Sequence, residues 1–320
     1  MIVTDDDGAG AAFAVLTRSS DGPLTLAVIP PSLYDLLPGY GQFPLSDATL
    51  FENEDLAAMA LENVLGIQID AVASVPAAEF ADLLGGSINV DLPNQLVVEQ
   101  EEGVIVVVAG EGAAARSAEQ LADIFTLQGS SDSLDYLERQ AAAWEGLVVH
   151  VAGNSQRLDR VTGLAGAGSA IAEGLIVAEG EGLEVTLIPV TVTGAGDDQG
   201  FTASQADVRP FVERRMPHLA RGVAVRPRVE ILNGNGRLGT TRSVANVLID
   251  QGYHVVRTDN AESFEFETTV VVAQGRENAD PARRAVTVLG VGDLQLELRA
   301  PSGVVDLSII VGQDIPPGEG

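Results

Sequence analysis

The chain has 320 residues, 46% of them hydrophobic but only 4% aromatic. One large domain or two ordinary ones can therefore form, around a core built mainly of Val, Leu, Ile and Ala. All 18 basic residues are arginine, set against 46 acids for a net charge of −28, and there is no lysine and no cysteine. That argues against nonspecific nucleic-acid binding and against docking on an anionic membrane. It also removes Schiff-base and P-loop lysine chemistry, disulfides, thiolate nucleophiles and Cys-ligated metals. No apolar run approaches the ~20 residues of a membrane span. No basic segment followed by an apolar stretch marks a signal peptide, so an export signal, if one exists, lies outside this sequence.

Charge is unevenly spread. Residues 1–150 hold 24 acids and 3 arginines (Arg18, Arg116, Arg139), whereas residues 151–320 hold 22 acids and 15 arginines. The imbalance predicts two units with different surfaces. In chain order, Phe13–Thr17 and Leu24–Ile29 read as strands of a hairpin joined by the turn cluster Ser19–Pro23. Pro38 to Gly41 reads as a loop. Asp55 to Val64 has helical spacing and stops at Gly66. Glu79 to Leu84 is a short helix ended by Gly85-Gly86. Ile88 to Leu92 alternates as a strand, and the run Val104 to Ala109 reads as a buried one. Ser117 to Phe125 and Leu134 to Leu147 read as helices. Gly163 to Gly182 is rich in Gly and Ala and reads as partly loop. Leu183 to Val192 is a strand, followed by a Gly-Asp loop over 194–200, and Asp207 is placed to cap a helix through Met216.

From Arg228 the pattern tightens. A strand (Val229–Leu232), a glycine loop, a helix (Thr241–Asp250) and a strand (His254–Arg257) come first. A strand (Thr269–Ala273), a helix (Pro281–Leu289) and strands Leu294–Leu298 and Val304–Val311 follow. This is an α/β layer arrangement of about 90 residues.

Each candidate site has a functional and a structural reading. The run Gly234-Asn235-Gly236-Arg237-Leu238-Gly239 follows a strand and opens a helix, with Asp259 20 residues past its last glycine. Those positions fit a dinucleotide fingerprint, with Gly234, Gly236, Gly239 and Asp259 as its candidates. They also fit a tight strand-to-helix turn, and this is the favoured reading because too little chain follows for a second mononucleotide half. Asp5-Asp6-Asp7 lacks the spacing of a calcium loop and reads as a solvated turn. His150, His218 and His254 stand far apart, and no Gly-x-Ser-x-Gly elbow is present. Arg214-Arg215, Arg221, Arg226 and Arg228 form a basic run suited to a carboxylate or phosphate, or to pairing with the acidic first unit. No metal site and no cofactor is expected.

The order of motifs from Val229 onward resembles the LytR C-terminal domain. The resemblance rests on Val229-Glu230-Ile231-Leu232-Asn233-Gly234, Gly252-Tyr253-His254-Val255, Asn260-Ala261 and the closing Val311-Gly312-Gln313-Asp314, and covers residues 227–314. In that family the glycine turn is a structural feature. Upstream, several segments resemble a degenerate LytR-CpsA-Psr domain. They are Ile29-Pro30-Pro31-Ser32, Leu37-Pro38-Gly39-Tyr40-Gly41, Glu62 to Asp70, Leu84-Gly85-Gly86, Glu119-Gln120 and Leu137-Glu138-Arg139-Gln140.

The resemblance implies a mixed α/β sheet flanked by helices over residues 1–220, a linker at 221–226, a small α/β domain at 227–314 and a tail at 315–320. It also implies an extracytoplasmic, bacterial cell-envelope location, with a cell-wall polymer or an envelope protein as partner. Members of that family move glycopolymers from a polyprenyl-pyrophosphate carrier to the cell wall. Arginines hold the pyrophosphate, and an aspartate helps to bind magnesium. Phosphoryl transfer needs such cationic clamps. At the matching positions this chain has Pro31, Ser32, Ala12, Pro44, Ser46, Thr126, Gln128 and Tyr136. Arg139 is retained, and Asp5 is a candidate remnant acid. The resemblance with these losses implies a non-catalytic interaction or scaffold protein. An active transferase and a nucleotide-binding module at Gly234–Gly239 are the alternatives.

Overall fold

The computed structural model describes residues 1–18, 24–51, 54–100, 103–152, 154–162, 168, 171–172, 175, 182–194, 199–219, 226–297 and 305–316. The turn Ser19–Pro23, most of 163–182, much of 194–200 and of the linker, and the end of the tail lie outside them.

In chain order the elements are β1 (Ile2–Thr4), β2 (Gly10–Arg18), β3 (Leu24–Ile29), β4 (Tyr34–Leu37), β5 (Gly41–Pro44), α1 (Ala48–Phe51), α2 (Glu54–Leu65), β6 (Ser74–Pro76) and α3 (Phe80–Leu84). Then come β7 (Ile88–Leu92), β8 (Leu96–Glu99), β9 (Ile105–Ala109), β10 (Gly112–Arg116), α4 (Ala118–Thr126), α5 (Ser133–Ala152) and α6 (Ser155–Thr162). They are followed by β11 (Leu183–Leu187), β12 (Thr191–Thr193), β13 (Gly200–Thr202) and α7 (Gln205–Arg215). The last group is β14 (Arg228–Asn233), α8 (Thr240–Asp250), β15 (His254–Asn260), β16 (Val270–Gln274), α9 (Ala279–Leu289), β17 (Asp293–Glu297) and β18 (Leu307–Val311). Ser204, rather than Asp207, caps α7, its side chain accepting from the Asp207 N–H.

The chain divides into two units that interleave in sequence. One comprises Met1–Tyr34, Pro44–Asp55 and Ile69–His218; the other comprises Asp35–Phe43, Leu56–Gln68 and Leu219–Gly320.

In the first unit a five-stranded mixed sheet has the order β11-β3-β2-β1-β6. β2 runs antiparallel to β1 and β3, while β6 and β11 add as parallel edges. Every residue of β3 is buried, as expected of an apolar run inside a covered sheet. α5 packs Leu137, Ala143, Trp144, Leu147 and Val148 into the core. There the Phe125 ring lies 4.9 Å from Trp144 and 5.6 Å from Phe80, both tilted. α4 opens on a capping box, Ser117 with Gln120.

β7–β8 and β9–β10 form the two sides of an antiparallel ribbon, interrupted between Leu92 and Leu96. The ribbon corrects one sequence expectation. Val104, Ile105 and Val107 are exposed, at 52%, 70% and 54%, instead of buried.

In the second unit the sheet order is β15-β14-β18-β16-β17, parallel except for the β16–β18 pair. α8 and α9 close over Val229, Ile231, Val255, Val271, Leu307 and Ile309. α2 contributes Asn63, which is fully buried. Its Nδ2 donates to the Val255 carbonyl at 2.8 Å, and its Oδ1 accepts from the Val255 N–H at 2.9 Å. The side chain thereby pairs edge strand β15 as a neighbouring strand would. Gly66 ends α2 in the left-handed region at φ +67°, as the sequence predicts.

Candidate functional site

Arg139 projects from α5 and has no exposed surface. Its Nη1 donates to Asn94 Oδ1 at 2.6 Å and Ser131 Oγ at 2.8 Å, and its Nη2 donates to the Gln128 carbonyl at 2.8 Å. The guanidinium also lies over the Tyr136 ring, 5.8 Å from its centroid. Burial pushes its pKa down, and Asp135, Tyr136 and Asp132 act in the opposite direction. These hydrogen bonds pin the 128–131 segment and the turn between β7 and β8 to α5. Arg139 is therefore spent on neutral oxygens of its own unit.

The neighbouring positions are spent in the same way. Tyr136 Oη donates to the Phe125 carbonyl at 2.6 Å, and Gln140 Nε2 donates to the carbonyls of Phe125 and Ala11 at 2.9 and 2.7 Å. Burial raises the Tyr136 hydroxyl above its usual range. Thr126 Oγ1 donates back to the Ala122 carbonyl, and Gln128 Nε2 to the Ser131 carbonyl. Ala12 is fully buried. The Ser46 N–H donates to the Pro31 carbonyl, and the Phe201 N–H to the Ser32 carbonyl. Asp5 Oδ1 accepts from the N–H groups of Asp7 and Ala9 at 3.0 and 2.9 Å, closing its own turn. Among the described residues no group of three His, Asp or Glu side chains is placed to hold a metal.

An apolar cavity of about 40 Å³ lies among Ile2, Val75, Phe80, Trp144, Val148 and Leu175. Such a space takes no more than a few waters.

Gly234, Gly236 and Gly239 lie at the β14–α8 turn, with Asp259 paired across β15 to Leu232. The turn faces its own side chains. Asn233 Oδ1 accepts the N–H groups of Asn235 and Gly236, at 3.2 and 2.9 Å, and Asn235 Oδ1 accepts that of Arg237 at 3.0 Å. Asn235 Nδ2 donates to the Gly312 carbonyl at 2.8 Å, and Gln313 Nε2 returns a bond to the Asn235 carbonyl. Asp314 Oδ1 accepts from both the N–H and the hydroxyl of Thr269. A Cβ on Gly312 would stand 2.4 Å from the Thr268 carbonyl carbon, which explains glycine in the closing signature. Asp259 is exposed and held by Arg257 Nη2 at 2.6 Å. That contact first, then the Asn260 N–H, lowers its pKa.

The basic run disperses. Arg215 pairs with Glu184 and Arg228 with Asp306, both acids from beyond residue 150. Arg226 donates to the carbonyls of Asn63 and Tyr253, each at 2.7 Å. Arg221 lies outside the described residues. His254 is held neutral: burial first, then Arg226 and Arg228, lowers its pKa to about 4. Sequence reasoning did not find Asn94 and Ser131 as partners of Arg139. Asn94 lies 45 residues away in sequence, and no spacing rule reaches that far.

Residues 226–314 match the family model described as LytR cell envelope-related transcriptional attenuator. Among solved structures, B. subtilis TagV is similar at 14% identity and TM-score 0.53, over 68% of this chain and 96% of its own. B. subtilis TagT is similar at 17% and 0.50, over 68% and 89%, and TagT is also known bound to LIIa-WTA. A LytR-Csp2A-Psr enzyme from Actinomyces oris is similar at 17% and 0.51, over 67% and 87%. At these identities the likeness is one of fold. No curated protein matches the chain by sequence.

Proposed function

Taking residues 226–314 as a LytR C-terminal domain, in a chain that carries the LytR-CpsA-Psr-like fold, we propose a non-catalytic interaction or scaffold role in the cell envelope. Arg139 carries the reading. A pyrophosphate clamp needs guanidinium donors aimed at the ligand, whereas both terminal nitrogens of this arginine are hydrogen-bonded inside the unit. Moving them onto a phosphate would give up all three of these charge-assisted hydrogen bonds.

The other family arginine positions carry no cation, and residues 1–150 are net −21, which opposes a polyanionic substrate. The acid set does not fit a divalent ion either: the strand position is Ala12, and Asp5 Oδ1 already accepts two backbone N–H groups. The glycine turn speaks for a structural role, because its side chains take up the N–H groups that a pyrophosphate would need.

The test is phosphate release from a prenyl pyrophosphate by the purified chain with magnesium. The expected result is release at the rate of the protein-free control. A protein-dependent rate that is lost in Arg139→Ala, with that variant still folded, overturns the proposal.

A further inference from the structure

We propose that the exposed edge of β9 is a strand-docking surface for an extended, basic segment of a partner protein. The ribbon's hydrogen bonds show which backbone groups face outward. In an antiparallel pair, opposed residues alternate between exchanging hydrogen bonds and pointing their N–H and C=O groups away. Gln100 N–H donates to the Val104 carbonyl, so that pair is a bonded one. The register runs Glu99↔Ile105, Val98↔Val106, Val97↔Val107. The bonded pairs are thus Gln100/Val104 and Val98/Val106, and the backbone groups of Ile105 and Val107 point away from β8. On β8 the matching outward carbonyl, that of Val97, is already taken by the Ser130 N–H at 2.8 Å. Among the described residues, the outer edge of β9 is blocked beyond Val107. Gln120 Nε2 donates to the Val108 carbonyl, and buried Arg116 donates to those of Gly110 and Gly112. A short acceptor edge is left at 104–107.

The same two residues expose their side chains, Ile105 at 70% and Val107 at 54%, whereas Val108 packs toward the core. Long exposed apolar edges are normally blunted by charge or proline, and neither occurs between Val104 and Val107. Backbone donors and acceptors beside apolar side chains suit an added peptide strand. Charge selects which strand. Glu99 sits directly opposite Ile105 and is exposed, as are Glu111, two residues beyond the end of β9, and Glu119, next to Gln120, whose side chain bonds the Val108 carbonyl. A second copy of this chain would bring like charges together, whereas Lys or Arg on an added strand can extend over Ile105 toward Glu99, two strand spacings or about 10 Å away. This deepens the interaction role proposed above but is separable from it: an inert enzyme can lack the edge contact, and an active one can make it.

The test uses the full chain and an eight-residue peptide alternating Val and Lys, read by amide exchange and by binding anisotropy. Slowed exchange confined to 103–109, with affinity at least about tenfold weaker for Val107→Lys, is the expected result. A Val-Glu peptide of the same length should not bind, and neither should the Val-Lys peptide N-methylated at every residue, which leaves no N–H on either edge. The N-methylated peptide keeps the charge and removes backbone pairing, so it serves on the unaltered protein should Val107→Lys unfold. Protection elsewhere or nowhere, equal binding of the N-methylated peptide, or protection of 103–109 by self-association without peptide overturns the proposal.

Discussion

Two polar clusters invite comparison, the one around Arg139 and the one joining the Asn233–Gly239 turn to Gly312–Asp314. Each centres on a buried side chain, Arg139 or Asn235, hydrogen-bonded within its own unit. They differ in charge. The turn cluster around Asn233 and Asn235 satisfies neutral donors and acceptors with neutral partners, a cheap arrangement in a low-dielectric site. Arg139 buries a cation on neutral oxygens, with Asp132 and Asp135 acting only through space, so it bears a desolvation cost that an apolar residue would not. A cation kept at that cost, and turned inward, holds the 128–131 segment against its own helix.

The largest effect expected from this comparison is at Arg139→Leu. The leucine cannot hydrogen-bond Asn94, Ser131 or the Gln128 carbonyl, so we expect a loss of about 3–5 kcal/mol in the first unit. Arg139→Lys should recover little, because an ammonium lacks the planar fork that reaches three acceptors. Exchange-resolved urea unfolding separates the units. A shift of the 226–314 amides equal to that of the 80–152 amides would show that the cluster is not local to its unit.

That locality bears on how much the sequence could reveal. β2, β3, α2, α4 and α5 were legible because helix period, caps and turn residues are local signals, and so was the alternation of strands and helices after Arg228. β1, β8 and β10 were not, being three to five residues long with little pattern. The exposure of β9 was missed for a different reason: a five-residue apolar run reads alike whether it is covered or bare. The inward turn of Arg139 depends on Asn94 and Ser131, and Asn63 serves a strand almost two hundred residues later. Such partnerships follow from the tertiary fold.

His254 sharpens the comparison on the other side, as a buried base of the second unit kept uncharged. Its folded pKa of about 4 lies below the ordinary histidine value of 6.5. The unfolded chain therefore takes up a proton at a pH where the folded chain does not. The associated stability is complete above about pH 6.5 and is lost as pH falls toward 4, by ~3 kcal/mol at most. His254→Gln should remove this part of the acid slope for residues 226–314 and leave the first unit's slope unchanged. A variant with the wild-type slope there would mean that His254 charges freely when folded.

The smallest effect is expected at Asp259, the acid that sequence spacing placed in a nucleotide fingerprint. Its contact with Arg257 is exposed, and pairs of that kind contribute little. Asp259→Ala should change unfolding by less than about 1 kcal/mol. It should also leave titrations with nicotinamide or adenine nucleotides flat, as they should be for the unaltered chain, because the side chains of Asn233 and Asn235 already take the N–H groups of the turn. A saturable signal lost on this substitution would require those side chains to swing out and free the turn for phosphate. The glycine turn would then be a binding loop, and the contrast with Arg139 would reverse: the neutral cluster would open to ligand while the charged one stayed closed.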